Sequence, residues 1–123
     1  MAYEILGQSV PMTAAADLSS KQFYVVHGSA ADSVNVATDN TAHIPLGILQ
    51  NKPQSGQAAA VCINGVSKAV AGDAVSAGAL LTFDSEGRVV TASGTGIYTV
   101  GIALQAASAA GEIIPVLIRV FKI

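Results

Sequence analysis

Residues 98–123 read YTVGIALQAASAAGEIIPVLIRVFKI, and this C-terminal stretch decides the fold class. Tyr98, Val100, Ile102 and Leu104 alternate with Thr99, Gly101 and Ala103. A period of two is the signature of a strand with one face on a core, so the bulky set is expected to face inward. Small residues follow from Gln105 to Gly111, and a second strand is predicted over 113–123. Ile114, Val116, Ile118 and Val120 share one of its faces, and Pro115, Leu117, Arg119, Phe121 and Ile123 share the other. The second face is too apolar to meet only water. Such a strand is either central in a sandwich or covered by a partner chain.

Working back from that stretch, the same grammar recurs. Strands are predicted at 23–27, 34–36, 44–49, 58–63, 66–70, 80–83 and 88–91, separated by clusters of Gly, Asn, Asp and Ser. Pro45 puts its strand at an edge or its first residue at a strand start. Asn64-Gly65 is the strongest local hairpin signal and predicts pairing of 58–63 with 66–70. Asp84 to Gly87 joins 80–83 to 88–91 in the same manner. Residues 1–20 are irregular, with Ile5, Leu6, Val10, Met12 and Leu18 scattered among polar and small residues. They are expected to form an arm or edge strand that orders on contact with a partner, or else a first strand packed on its own domain.

An internal echo accompanies these strands. Gly47-Ile48-Leu49-Gln50 recurs as Gly101-Ile102-Ala103-Leu104-Gln105, and Gly56 precedes Val61 and Ile63 as Gly111 precedes Val116 and Ile118. Two similar β units are expected, at about 23–70 and about 80–120. The predicted fold is all-β: one domain over 21–123, a small compact β-barrel or β-sandwich of about eight to ten short strands with an irregular N-terminal arm.

Composition narrows the function. The chain has 123 residues, enough for a core without staples. Its apolar fraction is 51%, but 22 of those residues are Ala, which buries little. The net charge is −2 and only 11% of residues are charged, with no basic run. Nucleic-acid binding is therefore excluded, because phosphates need cations. So uncharged a surface suits a chain that works in an assembly. No apolar run reaches the ~18 residues of a membrane span, and the N-terminus lacks the pattern of a secretory signal.

No constellation for catalysis emerges. His27 and His43 are isolated in sequence, and the lone Cys62 lies mid-strand, where an inert thiol is the expectation. Gly72-Asp73-Ala74-Val75-Ser76-Ala77-Gly78-Ala79-Leu80-Leu81 has the turn form of biotinyl and lipoyl carriers. The attachment Lys is missing from the following tip, Asp84-Ser85-Glu86-Gly87. Asp84 and Glu86 read as a solvated turn. The chain is expected to be no enzyme and to need no cofactor or metal.

Four segments carry a resemblance: 16–23 (ADLSSKQF), 45–53 (PLGILQNKP), 65–68 (GVSK) and 72–87. With Gly101-Ile102-Ala103-Leu104 they resemble small virion proteins of tailed bacteriophages associated with head decoration, or capsid cement. The resemblance spans about residues 10–105 and rests on the GILQNKP run followed by GVSK. It implies an all-β homotrimer bound to the major capsid protein on the outer capsid surface of the virion, at threefold or quasi-threefold positions. It carries no catalytic residues. On their apolar character, Tyr3, Ile5, Leu6, Val10 and Met12 are the candidate capsid-contact arm, and Leu117, Arg119, Phe121 and Ile123 the candidate self-association face. Other readings are a head–tail joint protein or a surface-binding β module. The second is disfavoured by six aromatic residues and no Trp.

Overall fold

The computed structural model describes residues 2–123. The elements there are strands: β1 (Ile5–Leu6), β2 (Ser9–Ala14), β3 (Val25–Ala30), β4 (Ser33–Val36), β5 (Pro45–Leu49), β6 (Ala58–Cys62), β7 (Gly65–Val70), β8 (Leu80–Phe83), β9 (Val89–Thr91), β10 (Gly101–Ala103) and β11 (Ile113–Ile118). They form a closed barrel, β2-β4-β3-β5-β6, and a six-stranded sheet, β1-β7-β11-β10-β8-β9. All named pairs are antiparallel except β2 with β4.

The second sheet repeats the first. Pairs β3–β4, β3–β5, β5–β6 and β6–β2 correspond in order to β8–β9, β8–β10, β10–β11 and β11–β7. The parallel closure of β2 on β4 has its counterpart in a single parallel bridge, Ala71 to Val89. Individual bonds match as well. Ala14 N–H donates to Gln57 O and Gly56 N–H to Ala14 O, both at 2.9 Å. Ala71 N–H donates to Glu112 O and Gly111 N–H to Ala71 O, both at 2.8 Å. Val26, Val34, Leu49 and Val61 fill the first barrel, and Leu81, Val89, Ala103 and Val116 hold the equivalent buried places in the second unit. The echoed glycines have one cause. A Cβ on Gly47 would lie 2.1 Å from Cys62 O, and one on Gly101 would lie 2.1 Å from Leu117 O. The two five-strand sets run 9–62 and 65–118.

The units differ where they meet. Thr13 N–H closes the first barrel on Asp32 O at 2.8 Å. The equivalent groups, Val70 N–H and Gly87 O, bind Phe23 O at 3.1 Å and Val25 N–H at 2.9 Å instead. Residues 23–25 are thus spliced into the open side of the second sheet, between β7 and the β8–β9 tip. Around this splice, Val25, Ile48 and Cys62 stand in register across β3, β5 and β6. They are fully buried in one cluster with Phe83, Val100 and Ile118. The Gln50 amide crosses the seam to Ser67 Oγ at 2.8 Å.

Three expectations need correction. Asn64-Gly65 is not a hairpin: β6 pairs with β2 and β5, while β7 pairs with β1 and β11. The turn chemistry is as read, since Gly65 has φ +86. Here it carries the chain from one barrel to the next, because both flanking strands find distant partners. The strand predicted over 113–123 ends at Ile118. Past it the Thr99 hydroxyl donates to Arg119 O at 2.9 Å and accepts Phe121 N–H at 3.1 Å, bending the tail off the sheet. Third, the alternation over 98–104 does not hold throughout: Val100 is fully buried as expected, but from Gly101 on the small residues turn inward. Gly101 and Ala103 face the core while Ile102 is half-buried and Leu104 exposed, because close strand approach at Gly101 leaves room only for small side chains.

For residues 2–20, where an arm or edge strand and a first packed strand were both open, two strands form. β1 lies at the sheet edge, and β2 is a six-residue wall strand of the closed barrel. Asn64 Oδ1 accepts Gln8 N–H at 2.6 Å, fixing the joint between them.

Equivalence also exposes a strained position. Phe23 N–H donates to Leu49 O and Gly78 N–H to Ala103 O, both at 2.7 Å. Gly78 has φ +85, and Phe23 holds the same backbone at φ +69. Packing against the seam cluster, with the Lys68 ammonium 5.7 Å from the ring centroid, sustains Phe23 there. At Gly78 an added Cβ meets nothing, so Gly78→Ala is expected to cost only the left-handed penalty, about 1 kcal/mol in urea unfolding.

An uncovered apolar face as the candidate functional site

The residues that could carry chemistry are used structurally. The Cys62 thiol is buried, donates to Asn64 O at 3.0 Å, and has its pKa pushed up by burial. Arg88 bridges Asp84 at 3.1 Å and Glu86 at 2.5 Å, closing the β8–β9 tip. That tip sits in the seam, where Gly87 O accepts Val25 N–H. Among the described residues no three His, Cys, Asp or Glu side chains converge, and no cavity opens.

His27 and His43 are far apart in sequence but stack with centroids 3.8 Å apart. Thr38 and Asp39 N–H both point at His43 Nδ1, so the neutral ring carries its proton on Nε2. Burial, and then the neighbouring His43, hold the His27 pKa below the ordinary imidazole value. A base whose folded pKa is depressed favours the unfolded state when protonated. Its contribution is complete above the unfolded pKa of about 6.5 and is lost as pH falls from there through the folded value. The Asp39 and Glu112 carboxylates, held low by Thr41 and Ser108, act at lower pH still. His27→Gln is therefore expected to flatten the stability profile between about pH 7 and pH 5. Parallel profiles for variant and parent would refute that assignment.

What remains is surface shape. The outer face of the six-stranded sheet carries one row across five strands: Ile5, Val66, Leu117, Ile102 and Leu80, each in register with the next. Ile5 is 67% exposed, while Leu117, Ile102 and Leu80 are half-buried. Ile113 and Leu104 are exposed nearby on the same sheet. Val66, within the row, is buried, and Lys68 shares its face beside Pro115, so the apolar surface open to a partner is carried by Ile5 at the edge and by Leu117, Ile102 and Leu80.

The candidate residues distribute unevenly over this geometry. Ile5 and Leu117, assigned to different surfaces on sequence, belong to one row. Tyr3 and Leu6 are exposed beside it at the sheet edge. Val10 and Met12 lie instead on β2, in register with Val61 and Ala59 of the first barrel, and both are half-buried. Arg119, Phe121 and Ile123 are exposed on the tail, which runs beside residues 96–99 through Thr99 N–H to Phe121 O and Ile123 N–H to Ile97 O. Sequence reasoning missed Leu80, Ile102 and Leu104. The signal was the pairing of Gly101 and Ala103 opposite bulky neighbours, which marks the small side as the packed one.

Comparison with known proteins gives a consistent outcome. No curated protein matches the chain. Among solved structures, the N base of the head fiber gp8.5 of bacteriophage phi29 superposes with a TM-score of 0.73, over 94% of this chain and 97% of that one. At 20% identity the likeness is one of fold. The family model described as phage cement protein matches residues 6–120. An all-β chain with apolar side chains turned outward on one sheet agrees with that match, and the chain belongs to the phage cement protein family.

Proposed function

We propose that this phage capsid structural protein decorates and stabilises the outer surface of a tailed-phage head, as a trimer at threefold or quasi-threefold positions on the major capsid protein. The observation that supports this most is the uncovered apolar row from Ile5 to Leu80. A cement protein clamps joints between shell subunits by complementary area multiplied by symmetry, and needs no chemistry. Each side chain it covers contributes roughly 1.5–3 kcal/mol before ordering costs. Tyr3, Ile5 and Leu6, at the free sheet edge, meet the shell. Leu117, with Arg119, Phe121 and Ile123 of the tail, meets another copy.

The test is to add purified protein to expanded shells that lack it and count bound copies after sedimentation. Saturation on the order of hundreds of copies, in threes per local threefold, is expected. About a dozen copies would favour the head–tail joint, and no binding would end the decoration reading. Removal of residues 1–6 is expected to weaken shell binding at least tenfold with the oligomer preserved. Unchanged shell binding would move the shell contact elsewhere.

A further inference from the structure

The repeat shows what should cover the outward row. In the first barrel, Val25, Ile48 and Cys62 occupy the places that Leu80, Ile102 and Leu117 occupy in the second. The first set is fully buried because the second unit of the same chain packs on it. The second set is half-exposed and equally apolar. A face covered in one copy of a repeat and bare in the other lacks its neighbour.

The covering half of the seam is also duplicated. Phe83, Val100 and Ile118 of the second unit supply it. The equivalents of Val100 and Ile118 in the first barrel are Leu46 and Ile63, and Met12 stands where the second unit has Ala69; all three are half-buried and packed against the first core, while Phe83 has only Gly28 as its counterpart. One chain therefore exposes both halves of the contact it makes internally, one at each end. The polar link of the internal seam, Gln50 to Ser67, is replaced at the equivalent positions by Leu104 and Val10, an apolar pair.

We infer that the chain associates head to tail with further copies of itself: the Leu80–Ile102–Leu117 face of one copy is covered by the Met12–Leu46–Ile63 rim of the next, repeating the intrachain seam. The occupant is a second copy because the internal seam already shows this surface complementarity, barrel for barrel. The contact is heterologous, so each copy uses two different patches and the assembly closes only as a ring. This deepens the trimer reading above and rests on it. In a closed trimer every barrel would cover the next by the same face, within and between chains.

The experiment uses the full chain without shells. One variant carries Ile102→Glu with Leu117→Glu, the other Leu46→Glu with Ile63→Glu. These positions are half-exposed, and circular dichroism with thermal unfolding checks that each variant is folded. If one is not, Ile102→Thr and Leu46→Thr replace the pairs under the same criteria. The mass of the parent by light scattering is expected to be that of three copies at about 100 µM. Each variant alone should fall to a monomer, with association weakened at least a hundredfold. An equimolar mixture should give one-to-one heterodimers, because each partner contributes one intact patch. A monomeric parent, a rim variant that still assembles, or a mixture that stays monomeric would overturn the inference. Monomers that still saturate shells would leave decoration standing without it, whereas rings that bind no shell would do the reverse.

Discussion

Alanine at Gly101 is expected to lower stability by at least about 3 kcal/mol. The new Cβ would sit 2.1 Å from Leu117 O and 2.9 Å from its carbonyl carbon. Those are backbone atoms of the adjacent strand, so no side-chain rotation relieves the overlap. β10 and β11 must separate, which breaks the register Gly101–Ile118 and Ile102–Leu117 and tilts the outward row. Gly47→Ala meets Cys62 O at the same 2.1 Å and should cost a similar amount. Gly28→Ala is the control: nothing lies within 4 Å of its Cβ, and a change under about 0.5 kcal/mol is expected. Urea midpoints for the three variants decide the matter. A mild Gly101→Ala would mean that the strands can part at little cost.

Phe83→Ala should be nearly as severe, at about 3–5 kcal/mol. Phe83 is the largest fully buried side chain and belongs to the cluster joining the two units. Its equivalent in the first barrel is Gly28, and that barrel closes without a ring at this place. The ring therefore fills the seam rather than completing a barrel interior. Its loss should weaken coupling between units as well as lower the midpoint. Calorimetry is expected to show one sharp transition for the parent and a broadened or split one for Phe83→Ala. Leu49→Ala, inside the first barrel, should cost about 2–5 kcal/mol while the transition stays single. Splitting in Leu49→Ala but not in Phe83→Ala would contradict this placement of the ring.

Local chemistry was legible in the sequence where it is enforced locally. The β8–β9 hairpin follows from Asp84 to Gly87, because Asp84 Oδ1 takes the N–H groups of Glu86 and Arg88 within the turn itself. The Gly47 and Gly101 echo was visible because a carbonyl pressed against each position admits no side chain. Partner choice was not legible. Asn64-Gly65 has turn chemistry, yet whether 58–62 pairs with 65–70 depends on β2 and β11, which lie far off in sequence. The tail misled for a similar reason: Val120, Phe121 and Ile123 continue an apolar pattern, but Thr99, on another segment, ends the strand. The outward row was half visible. Leu117 was placed on the face opposite Ile114, Val116 and Ile118, where it lies, whereas Ile102 was placed inside, since alternation tells two faces apart without saying which one is buried.

The order in which strands find partners bears on synthesis. β2 to β6 are complete once Cys62 has left the ribosome, so the first barrel can close before β7 to β11 emerge. At that moment Val25, Ile48 and Cys62 are uncovered, and β1 waits for Gly65 and Val66 to emerge. The nascent chain thus displays an adhesive flank for as long as translation of residues 65–118 takes. Neighbouring ribosomes on one message hold many such flanks close together. Fast elongation through that interval, or a chaperone that masks the flank, would protect yield, and slow codons there would be expected to raise the insoluble fraction of newly made protein.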